Sequence, residues 1–208
     1  MNKIPDSTLI AQPRRGRPRK YEHGAALGAA IQAFWKKGYS ATTFDDLVIA
    51  LEMNKPSLYL AFGDKTTLYE LALQHFVSEL KLALDVRVMQ EPDLRKALRN
   101  LYDDGLAVYF AEEPALGCFV FCTAPVEAAA HPQIKAVLEA ALAELDQLLA
   151  RRFRQAQKAG QFHASRSAVV AGRLAQSVLH SLAIRARAGE SRPALARFGR
   201  EVVDWMIA

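Results

Sequence analysis

From Glu22 onward, apolar residues recur at three- and four-residue intervals, and proline or glycine repeatedly interrupts the pattern. No run alternates apolar and polar residues between turn signals, so the chain is built for helices and not for a sheet. The expected fold is all-α. Leu27, Ile31, Phe34 and Trp35 mark a first helix that Gly38 stops. Phe44, Leu47, Val48 and Leu51 mark a second, short helix. Thr42 or Thr43 suits its N-cap, and Asp45 and Asp46 occupy the first turn, where the helix dipole favours anions. Pro56 opens a third helix through Leu58 and Phe62, since its missing N–H would be unpaired in a first turn anyway. Gly63 closes it. Asp64 then caps a fourth helix, through Leu68, Leu71, Ala72, Phe76 and Leu80, long enough to pass from a small N-terminal domain into a larger one. Further helices are expected near 93–112, 118–129, 133–158, 165–188 and 193–207.

The chain has 208 residues, 51% of them hydrophobic, enough to bury a core without a disulfide or metal. Two cysteines and the absence of a leader-like apolar segment point to a reducing cytoplasm. No apolar run reaches the length of about 18 residues that a membrane span needs. Charge is unevenly placed: residues 1–65 hold ten Lys and Arg against six acids, and residues 66–208 hold seventeen against sixteen. Such asymmetry fits a polyanion-binding N-terminal unit on an electrically balanced body.

Two short helices behind a supporting one make a helix-turn-helix, whose second helix fits a major groove about 12 Å wide while the first crosses the backbone. Lys55, Ser57, Tyr59 and Leu60 would face outward, because Leu58 and Phe62 already fill the inner side. The stretch from Gly38 to Leu68, GYSATTFDDLVIALEMNKPSLYLAFGDKTTL, resembles the DNA-binding domain of the TetR family of bacterial transcriptional regulators. The resemblance rests on the aromatic-rich end of the first helix, Thr42-Thr43, the Lys-x-Ser-Leu-Tyr core at 55–59, Phe62, and the Asp-Lys-x-x-Leu opening at 64–68. Glu52 stands where the family usually has a turn glycine, and Leu60 where an aromatic residue or histidine often follows the tyrosine.

The resemblance implies phosphate contacts for Thr43, Tyr59 and Lys65, and groove-facing roles for Lys55, Pro56, Ser57 and Leu60. The chemistry agrees. Thr43 and Lys65 sit at helix N-termini, which attract phosphate. Lys55 can reach a guanine edge, while Pro56 and Leu60 can only touch a thymine methyl. The resemblance also implies a ligand-responsive repressor that binds a palindromic operator as a homodimer and is released by a small-molecule effector.

Residues 1–20 read as a flexible basic arm, 21–66 as the helix-turn-helix domain and 67–208 as a ligand-binding and dimerisation domain. In the arm, Arg14, Arg15, Arg17 and Arg19 around Gly16 and Pro18 resemble an AT-hook, which inserts arginines into a narrow minor groove; a solvated basic tail is the alternative. Pocket candidates in the body are Phe76, Tyr102, Tyr109, Phe110, Phe119 and Phe121, with Cys118 and Cys122 one helical turn apart; plain core is the competing reading for these aromatics, and inert burial for the cysteines. The helices near 133–158 and 165–188 look too apolar for one protomer to cover, and Ala171, Gly172, Ala175, Ser177 and Ser181 would let a second copy approach. The histidines form no ligand-spaced cluster, and no catalytic motif occurs, so no metal, cofactor or enzymatic activity is expected. The rival readings are an architectural A·T-rich DNA-binding protein without effector, or an all-helical enzyme.

Overall fold

The computed structural model describes residues 23–208, and the arm with Arg14, Arg15, Arg17 and Arg19 lies outside them. The described residues form helices α1 (His23–Ala41), α2 (Phe44–Ala50), α3 (Lys55–Phe62), α4 (Lys65–Met89), α5 (Leu94–Tyr109), α6 (Phe119–Glu127), α7 (Pro132–Lys158), α8 (Ala168–Arg187) and α9 (Arg192–Ile207), with no strand among them.

Local chemistry sets the boundaries. Gly38 has φ 77 and ψ 168, so the expected stop is a break inside α1, after which the chain turns Tyr39 back into the core. The Thr42 hydroxyl donates to the Gly38 carbonyl at 2.6 Å and is buried, leaving Thr43 as the N-cap of α2. Thr43 and Asp46 form a reciprocal capping box. Asn54 caps α3 by accepting from the Ser57 amide, so the helix begins at Lys55, one residue before the expected Pro56. Asp64 caps α4 in the same way through the Thr67 amide.

Between α2 and α3 the chain must bend, and Glu52 does so at φ 52, the left-handed region that costs a side-chain-bearing residue about 1–2 kcal/mol. A glycine there is relieved of that cost but loses more freedom on folding. Glu52→Gly is therefore expected to raise stability by about 0.5–1 kcal/mol in urea titration; an unchanged midpoint would show that the turn relaxes around glutamate.

The lower part of α4 packs under α1, and its upper part enters a body formed with α5 to α9. At the junction, Trp35 meets Phe76 and Phe119 edge-on or tilted at centroid distances of 5.3 and 5.9 Å, and Tyr69 meets Phe34 and Phe119 at 4.9 and 5.9 Å. The upper end of α4 is tied down by Arg152, whose buried guanidinium donates to the carbonyls of Val88, Glu91 and Pro92.

Helices α7 and α8 pack against each other along much of their lengths. At Gly172 a Cβ would come within 2.7 Å of the Ala150 nitrogen, so this small residue serves approach inside the protomer. Ala171 and Ala175 are likewise buried within one chain, and Ala175 offers its carbonyl to the Tyr102 hydroxyl at 3.2 Å. The expectation that they face a second copy is corrected. On α7, Ile134, Leu145, Leu148, Leu149 and Phe153 are buried at home, while Val137, Leu138 and Leu142 are half-buried. In the body one protomer leaves apolar side chains open on α8 and α9, at Val169, Val170, Leu174, Ile184, Phe198 and Trp205, and also at Leu82 and Val86 of α4 and Val126 of α6.

Candidate nucleic-acid interface

α3 turns Leu58 and Phe62 into the core and exposes Lys55, Pro56, Ser57, Tyr59 and Leu60, with Leu60 at 90%. The packing comes from the spacing, since positions 58 and 62 are one turn apart and the intervening residues point away. The Tyr59 ring stacks on Phe44 of α2 at 4.1 Å between centroids, which fixes the phenol between the two helices. Phe44 is thus a positioning residue that sequence periodicity assigned only to the helix core. Ile49, exposed on α2, also escaped the sequence reading.

Among the described residues, Lys37, Lys55 and Lys65 near this face each already have a local partner. Lys55 Nζ lies 2.7 Å from an Asp45 carboxylate oxygen, and that hydrogen bond and charge push its pKa up. Lys37 bonds Asp46 at 2.7 Å and, with the Thr43 amide and hydroxyl, lowers the Asp46 pKa to about 2. Thr43 gives its hydroxyl hydrogen to Asp46, so its first task is the cap. Lys65 is half-buried: its ammonium donates to the carbonyls of Tyr39 and Thr42 at 3.1 Å each and lies 4.3 Å from the Tyr39 ring centroid. It straps the start of α4 to the end of α1, and one of its three hydrogens remains for a further acceptor.

The body contains a cavity of about 330 Å³ between α4, α5, α6, α7 and α8. Of the sequence candidates, Phe76, Tyr109, Cys118 and Phe121 line it. Phe119 belongs to the aromatic junction, Tyr102 packs on Gly199, Phe110 ends α5, and Cys122 packs beside Gly117. These four do not line it. Burial pushes the Cys118 thiol up to about 12 and raises that of Cys122, so neither is a thiolate at neutral pH. Gly105 was a missed signal. A glycine inside α5 is unfavourable for the helix, and here a Cβ would come within 2.8 Å of Leu179.

α6 joins this cavity to the N-terminal helices. Its Thr123 pairs with the Tyr69 hydroxyl at 2.7 Å, Glu127 accepts from Ser40 at 2.8 Å, and the Leu116 carbonyl just before it accepts from the Trp35 indole at 3.2 Å.

A short capped helix exposed on its outer face, held across a second and carried by a larger helical body, is a helix-turn-helix arrangement. Residues 26–72 match the sequence profile described as bacterial regulatory proteins, tetR family. Over that segment the chain is similar to the TetR family. It is 30% identical over 121 residues to the HTH-type transcriptional repressor ComR of Escherichia coli (strain K12), a match spanning 57% of this chain and 58% of that protein. It is 34% identical over 88 residues to the HTH-type transcriptional activator FasR of Mycolicibacterium smegmatis, spanning 41% of this chain and 40% of that one. The matches therefore span less than two thirds of these relatives. The structure of the TetR-family regulator CifR, a cysteine mutant complexed with 26bp double-strand operator DNA, superimposes with a TM-score of 0.79 at 26% identity, covering 90% of this chain and 98% of that one. Reduced Escherichia coli NemR shares the fold, with a TM-score of 0.78 at 14% identity over 88% and 95% of the two chains.

Proposed function

We propose that this chain is a transcriptional repressor that binds a palindromic operator as a homodimer and is released by a small-molecule effector held in the α4–α8 cavity. The observation that carries it is the outer face of α3, where Lys55, Pro56, Ser57, Tyr59 and Leu60 are exposed together while Leu58 and Phe62 anchor the helix in the core. The CifR complex supports operator binding, and ComR supports repression where FasR marks the opposite sign. Residues 21–66 read DNA and 67–208 bind ligand and partner, the boundary falling inside the continuous α4. The dimer forms through α8 and α9. Val170, Leu174 and Ile184 recur at helical spacing on α8, while His180 Nε2 and Gln176 Oε1 on the same helix lack a hydrogen-bond partner within the protomer.

Mutation tests the division of labour on DNA. Tyr59→Ala is expected to weaken binding to every sequence by a similar factor, because a phosphate contact carries no base information. Lys65→Ala should do the same and lower the log–log salt slope by about 1. Lys55→Ala should cost about 1–3 kcal/mol at one guanine position and little elsewhere. Fluorescence anisotropy across an operator library at several salt concentrations reads all three; identical sequence profiles and slopes would remove the proposed roles.

A further inference from the structure

The effector site adjoins a second, smaller cavity of about 80 Å³ between α4, α6 and α7, and the two share Leu80, Leu84, Phe121 and Leu145. Every charged residue lining either one is already paired with an opposite charge. Arg87 grips Asp104 with two nitrogens, at 2.5 and 2.9 Å, joining α4 to α5. Lys81 meets Glu144 at 3.0 Å and Asp85 meets Arg151 at 3.4 Å, joining α4 to α7. All six reach solvent, so they form a rim of zero net charge around walls made mainly of Leu, Phe, Val and Ala. Inside, the uncharged polar groups of the larger cavity's wall are the Tyr109 hydroxyl and the Cys118 thiol. The Tyr109 hydroxyl is 3.5 Å from the Leu179 carbonyl, a stretched bond easily exchanged for a better acceptor.

From this balance we infer that the effector is an uncharged lipophilic molecule with a single hydrogen-bonding group, of the size of a medium-chain alcohol or ketone. An anion or cation entering here would have to break one of the three rim pairs or lie buried without a counter-charge, and either is costly. The volume admits about ten to fifteen non-hydrogen atoms. The inference rests on the effector reading above for its consequence at the operator, but ligand binding itself is independent of that reading.

The test uses the full chain with n-decanol, decanoate and decylamine, reading melting temperature and operator release in parallel. n-Decanol is expected to raise the melting temperature and release the operator, at free concentrations where the two ions do neither. Asp104→Asn leaves the Arg87 guanidinium unpaired at the rim, so decanoate should gain at least about tenfold in affinity. Gly105→Val, which directs a side chain at Leu179, should weaken n-decanol at least about tenfold in a protein whose circular dichroism is unchanged. Wild-type binding of decanoate or decylamine as tight as that of n-decanol, or no binding of n-decanol, overturns the inference. Thermal stabilisation by n-decanol without operator release supports the ligand class and instead removes the effector reading.

Discussion

Leu174→Arg is expected to give a folded monomer, whereas Ala175→Arg, one residue further, is expected to abolish folding. The two side chains leave α8 on different faces. Leu174 is exposed at 48%, in line with Val170 and one turn from Ser177 and Val178. An arginine there stays hydrated in the single chain and becomes unfavourable only when a second copy covers it, where it would be buried without a partner. Ala175 has no exposed surface, and its carbonyl receives the Tyr102 hydroxyl. An arginine at that point has neither room nor counter-charge, and overpacking combined with an unpaired buried charge belongs to the most destabilising class of substitutions. Sedimentation should show the Leu174→Arg protein at half the wild-type mass with unchanged helicity. Operator affinity should fall roughly a hundredfold or more, because the second half-site is no longer held at high effective concentration. A folded Leu174→Arg dimer would move the interface away from α8.

That contrast also marks where reading a sequence stops. Helical spacing identified α8 as apolar nearly all round, and Ala171, Gly172 and Ala175 as small. It did not show which neighbour the small residues serve. Sequence period gives the face of a helix only when a polar side defines its opposite, and α8 has little polar side to use. Its partner inside the protomer, Ala150 at Gly172, lies on α7 across a connection whose geometry no periodicity encodes. The helix-turn-helix was more legible because local chemistry writes it: Thr43, Asn54 and Asp64 each cap the helix that follows, and Leu58 and Phe62 are spaced one turn apart. Within the interface, sequence found the exposed residues but not their restraints. Lys55 on Asp45, Lys65 on two carbonyls, and Tyr59 on Phe44 all depend on how α1, α2 and α4 cross. In the cavity, half of the eight aromatic and cysteine candidates line the wall. Of the others, Phe119 is aromatic for the sake of the junction with α1, whereas Tyr102 packs on Gly199 of α9.

Trp35 is the centre of that junction, and Trp35→Ala is expected to lower stability by about 3–5 kcal/mol. The side chain is buried on α1 and reaches Phe76 of α4 and Phe119 of α6. Its removal leaves a void bounded by rigid rings from two helices, which cannot collapse without shifting both of them. For a chain of this length the loss corresponds to a fall in melting temperature of roughly 10 °C or more. Trp35→Phe separates packing from hydrogen bonding. It keeps an aromatic ring against Phe76 and Phe119 but loses the indole donor to the Leu116 carbonyl. That carbonyl is not orphaned, because Arg187 Nη1 also donates to it at 3.0 Å. The lost bond should therefore cost only about 1 kcal/mol, with the smaller ring adding its own cavity cost. Differential scanning calorimetry of the two variants reads the difference. If Trp35→Phe falls as far as Trp35→Ala, the indole hydrogen bond and not the aromatic packing holds α1 to the body.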